Sequence, residues 1–80
     1  MNHQPNNGRV YFFSISLSYK RCEAFYQPGN NSVIVTADTG HRIQIPTSRM
    51  RAFVTKQGIQ GRFRMTIDNN NKIVSFEKIG

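Results

Sequence analysis

The sequence predicts an α+β domain: a curved, mainly antiparallel five-stranded sheet with one amphipathic helix packed on it and a second short helix, in the order βαββαββ. Three observations predict it. Residues 10–18 and 62–67 alternate apolar and polar side chains with the period of half-buried strands. Residues 19–26 set apolar side chains at the three-and-four spacing of a helical stripe. Clusters of Pro, Gly, Asn and Asp punctuate these runs at 28–31, 38–40 and 68–71.

Taken in order, residues 1–9 hold Pro5, three Asn and Gly8 and no apolar run. They cannot repay the entropy of ordering and read as a flexible tail before one domain over residues 10–80. In the first strand Tyr11, Phe13, Ile15 and Leu17 point to the core, and Phe12, Ser14 and Ser16 point away. Ser18 is a helix N-cap, after which Tyr19, Cys22, Phe25 and Tyr26 share one face of a helix over 19–27. Lys20, Arg21, Ala24 and Gln27 take the other face, and Pro28 with Gly29 stops it. The β-branched run 32–37 pairs with Ile43 and Ile45 in a hairpin around Asp38-Thr39-Gly40. After Pro46, Thr47 or Ser48 caps a brief helix over 48–54 that buries Met50, Phe53 and Val54. Gly58 and Gly61 bound a loop. Phe63, Met65 and Ile67 then line a strand, Asp68 and three Asn turn it, and Val74 and Phe76 carry the core onto the last strand. A split βαβ arrangement of ferredoxin-like type competes, but the second helix is short for covering half a sheet.

Eighty residues leave room for one thin core, built from 38% hydrophobic residues including six Phe and three Tyr. Cys22 is the single cysteine, so the chain has no internal disulfide and no Cys-based zinc site, which fits a reducing compartment. No leader-like apolar run and no stretch of about eighteen apolar residues occurs. A cytoplasmic domain that does not enter membranes is therefore expected.

Chemistry-bearing motifs are sparse. Asp38-Thr39-Gly40 matches the triplet that supplies a catalytic carboxylate in aspartic proteases, yet one copy needs a symmetric dimer and His41 crowds the site; Asp-x-Gly between strands is also an ordinary turn. His3 and His41 lack metal-ligand spacing, and no nucleophile elbow surrounds any Ser. Cys22 lies on the apolar helix face and reads as a small buried hydrophobe. Gly58-Ile59-Gln60-Gly61 is similar to the glycine loop of KH domains, but that loop joins two helices, and here a strand follows. No catalytic residue, metal or cofactor is expected, and the chain is not read as an enzyme.

Charge is the remaining signal. Eleven Lys and Arg face four Asp and Glu, a formal charge of +7. Arg42, Arg49, Arg51, Lys56, Arg62 and Arg64 fall in a window, 39–67, without an acidic residue. If neighbouring strands merge them, they form an anion-binding patch, because the guanidinium fork suits phosphate. The expectation is a small non-enzymatic basic binding domain that contacts nucleic acid or an acidic protein through this patch. The plain alternative is a solvated face that keeps the domain soluble. Another is an interaction or self-association module using an exposed sheet edge with Val10 and Phe12, as a monomer or weak homodimer.

His41-Arg42-Ile43-Gln44-Ile45-Pro46, followed by Ser48-Arg49-Met50-Arg51, Phe53-Val54 and the stretch 58–64, resembles a small family of uncharacterised bacterial proteins, domain of unknown function 2835. Ser18-Tyr19, Cys22, Tyr26 and the closing residues 74–77 fit the same pattern. The resemblance begins near Phe13 and leaves residues before Val10 outside. It implies a short bacterial domain whose arginine-bearing central segment is part of its signature, and it implies no catalytic residue.

Overall fold

The computed structural model describes residues 8–80, and the expected tail falls outside that range except for Gly8 and Arg9. The elements are β1 (Arg9–Leu17), α1 (Tyr19–Cys22), a 3₁₀ turn (Glu23–Tyr26), β2 (Ser32–Thr36), β3 (Arg42–Pro46), α2 (Thr47–Arg51), β4 (Ile59–Ile67) and β5 (Ile73–Lys78). Arg9 thus already belongs to the first strand. The class is α+β, but the five strands form two antiparallel sheets, β1-β4-β5 and β2-β3, rather than one.

The division has a local cause. Residues 18–31 carry the chain through α1, the 3₁₀ turn and a loop before β2 begins, so β2 does not pair along β1. The two sheets meet in the backbone where the Asp38 N–H donates to the Phe12 carbonyl at 2.8 Å. Both nevertheless feed one core in which Phe13, Ile45, Ile59, Phe63 and Met65 are fully buried.

Strand β1 runs antiparallel to β4 from Arg9 opposite Ile67 to Leu17 opposite Ile59, and its alternation is the expected one: Tyr11, Phe13 and Ile15 are buried, Phe12, Ser14 and Ser16 exposed. On β4, Phe63 and Met65 face inward as expected. The strand begins at Ile59, so Gly61 lies within it and does not bound a loop. On β5 the expectation fails for Val74, which is 60% exposed. A register shift between Thr66 and Ile67 leaves Val74 without an opposite residue, so Ile73 and Phe76 go to the core and Val74 is turned out.

The helix expected over 19–27 is one α turn followed by one 3₁₀ turn. Ser18 is its N-cap, accepting a hydrogen bond from the Arg21 N–H at 3.3 Å. At three residues per turn, Phe25 stacks directly behind Cys22, and Tyr26 is rotated about 120° further round. Cys22 and Phe25 are therefore buried while Tyr19 and Tyr26 are exposed, so half of the expected apolar face is in solvent. Helix α2 differs from the expected 48–54 at both ends: it runs only to Arg51, so Phe53 and Val54 lie half-buried in the segment after it. Pro46 occupies the cap position without a side-chain bond, and Thr47, buried, instead ties the preceding loop down: its hydroxyl donates to the Asn30 carbonyl at 3.0 Å and its N–H to the Asn31 carbonyl at 3.0 Å.

Candidate anion-binding cleft

The Asp38-Thr39-Gly40 triplet is a hairpin turn. The Gly40 N–H donates to the Ala37 carbonyl at 2.8 Å, and the Ala37 N–H donates to the His41 carbonyl, also at 2.8 Å. Gly40 takes φ +92°, the left-handed residue that closes a three-residue hairpin loop. This turn sets His41 just before β3 and Arg42 at its start, beside the first residues of β1. The β4–β5 turn lies near the same end, with Asn71 at φ 61°.

Between these parts lies a cleft of about 680 Å³, within the range of about 300–1,000 Å³ common for ligand sites. Its floor is apolar: Tyr11 from β1, Ile43 from β3, Met65 and Ile67 from β4, and Ile73 from β5. Its wall is cationic: Arg9 from β1, Arg42 from β3, Arg49 from α2 and Lys72 from the β4–β5 turn. Among the described residues no Asp or Glu lines the cleft and none of its three arginines forms an ion pair, while Lys72 lies within electrostatic reach of Asp68 in the same turn. Four like charges around one concave surface focus a positive field there.

The arginines named from sequence are divided by the fold. Arg42 and Arg49 come together at the cleft. Arg62 and Arg64 lie on the outer side of β4, in the other sheet, and each has an acid. Arg62 grips Asp38 with both nitrogens, at 2.9 and 2.5 Å, and also donates to the Ser14 hydroxyl at 3.0 Å. Arg64 pairs with Glu77, its cross-strand neighbour on β5. Arg51 lies 5.8 Å over the Tyr26 ring and donates to the Phe25 carbonyl at 3.4 Å. Lys56 sits in the turn before β4, away from the cleft lining. Adjacent strands do not merge the six, because β3 and β4 belong to different sheets.

Arg9, at the end of a polar stretch, and Lys72, in an Asn-rich turn, carry no local pattern that marks them as cleft residues. The available signal was register: antiparallel pairing of the first strand with 59–67 brings residue 9 to the end that the 68–72 turn occupies. Cys22 is buried as expected, and burial pushes its thiol up, away from the reactive thiolate.

The paired acids give a pH prediction. The Arg62 hydrogen bonds hold the Asp38 carboxyl below its ordinary value, and the Lys72 and Asn70 backbone N–H groups do the same for Asp68. A lowered folded-state value means stability present above about pH 4, the unfolded carboxylate range, and lost as pH falls through the folded value. Asp38→Asn is therefore expected to be less stable than the parent at pH 7, with the difference shrinking as pH falls through the lowered folded value. Thermal melts across pH check this; a difference that persists in acid would assign the effect to something other than the ion pair.

A model of the family described as "Protein of unknown function (DUF2835)" matches residues 9–79. No curated protein and no solved structure matches the chain.

Proposed function

The chain belongs to the DUF2835 family of proteins of unknown function, and from that premise we propose a small non-enzymatic, cytoplasmic binding domain that holds the phosphates of a nucleic acid in its basic cleft. The observation that carries this is the set of four cations, Arg9, Arg42, Arg49 and Lys72, around a cavity with no carboxylate among its described lining residues. Arginine's planar fork donates two parallel hydrogen bonds to a phosphate, and an unpaired guanidinium gives up no existing partner to do so. Arg62 and Arg64 must first release Asp38 and Glu77, so they contribute less.

The reading is tested by salt. Affinity for oligonucleotides should fall linearly on a log–log plot, and Arg42→Ala with Arg49→Ala should reduce the slope by about 1.5, from two lost contacts at about 0.7–0.9 each. Lys56→Ala should leave it unchanged. No oligonucleotide binding at low salt, with retained binding of a poly-glutamate chain, would move the reading to an acidic protein partner.

A second reading rests on β1 being an edge of its sheet, with Val10 and Phe12 50% and 39% exposed. Such an edge supports self-association. Light scattering over a hundredfold concentration range distinguishes a monomer from a weak dimer.

A further inference from the structure

Cations alone do not account for the cleft. Backbone phosphates need the wall and make no use of the apolar residues or of the imidazole ring that also line the cleft. That ring is His41, exposed yet held on two sides: its Nδ1 shares a hydrogen bond with the Thr39 hydroxyl at 2.7 Å, and Tyr11 meets it edge-to-face with ring centroids 5.6 Å apart. A solvent-facing histidine in a hairpin ordinarily samples several rotamers. Here the turn fixes one side and the Tyr11 ring the other, so little side-chain freedom remains to be lost on binding. Arg42 follows it in the chain, and both line the same cavity.

Resting on the nucleic-acid reading, we infer that the cleft takes a single-stranded nucleic acid, with one unpaired base stacked on the His41 ring while the flanking phosphates meet Arg9, Arg42, Arg49 and Lys72. An unpaired base has a free π-face and can leave its neighbours to lie on an aromatic platform, histidine included. Bases in a duplex are already stacked and present only edges, so a duplex uses the cationic wall and leaves the ring and floor empty. Base stacking of this kind discriminates weakly among sequences, because each base has a π-face. The bound class is single strands of broad sequence.

The test separates base from phosphate on the ligand side. Fluorescence anisotropy at low salt compares three labelled oligomers of equal phosphate number: an intact single strand, its abasic counterpart and a duplex. The intact strand should bind about tenfold more tightly than the abasic one, the order of one stacked base, with the duplex resembling the abasic strand. His41→Ala should erase that advantage without weakening abasic binding, and His41→Phe, which keeps a ring but not the imidazole, should restore it. Circular dichroism of both variants reports whether the hairpin is intact; should His41→Ala disturb it, the parent's intact-against-abasic ratio alone decides. Equal affinity for intact and abasic strands overturns the inference and leaves the phosphate reading standing. Failure of all three oligomers to bind overturns that reading, and this one with it.

Discussion

Truncating Phe63 to Ala is expected to cost about 3–5 kcal/mol, close to the whole stability of a chain this size. The ring is fully buried and sits at the centre of an aromatic cluster, 5.9 Å from Phe13, 5.2 Å from Phe53 and 5.5 Å from Phe76 between centroids. These partners come from β1, β5 and the segment after α2, so the lost contacts join three parts of the fold at once. A thin core has few neighbours able to close the cavity. Phe12→Ala is the matched control, since its ring is on the opposite side of β1 and 39% exposed; it should cost less than about 1 kcal/mol. Urea unfolding followed by circular dichroism measures both, and a Phe63→Ala loss as small as that of Phe12→Ala would mean the aromatic cluster is not the core's centre.

Gly58→Ala is expected to be nearly as damaging, for a backbone reason. Gly58 has φ +91°, where an L side chain is strained by about 1–2 kcal/mol. A Cβ there would also drive into the Leu17 carbonyl oxygen and lie 2.7 Å from the Ser18 carbonyl carbon and 2.8 Å from the Tyr19 nitrogen. All three are backbone atoms at the point where β1 passes into α1. Gly58 cannot drift away, because its N–H and carbonyl are both bonded to Thr55 at 2.9 Å. The total should reach about 3 kcal/mol or more, the range reserved for named backbone or core defects. Gly29→Ala separates the two contributions: its φ is +86° but nothing lies within 4 Å of the added Cβ, so only the strain of about 1–2 kcal/mol remains. Equal losses at the two glycines would remove the close-approach explanation.

The features that could be read from residues alone share a physical character: they depend on neighbours within a few positions. The two long strands were legible because burying one face of a pleat imposes period two, and Tyr11, Phe13 and Ile15 obey it. The Ser18 cap was legible because its oxygen reaches an N–H three residues on. The 19–27 helix was legible as helical but not in its geometry. Periodicity does not distinguish 3.6 from 3.0 residues per turn over eight residues, so the pattern assigns Tyr19 and Tyr26 to the core while the fold exposes them. Val74 was misplaced for a similar reason, since a register shift inserts one residue and reverses the phase of what precedes it.

What the amino-acid order decided without help was where the chain turns, which faces of β1 and β4 are apolar, and that the molecule carries an excess of seven positive charges. Which of those charges remain available was decided in three dimensions. Asp38 and Arg62 are 24 residues apart and Arg64 and Glu77 are 13 apart, yet both pairs close, while Arg9, Arg42, Arg49 and Lys72 converge on one cleft from four separate elements. Coulomb interaction depends on distance through space, and in a protein of two sheets that distance is set by strand register and by which sheet a strand joins.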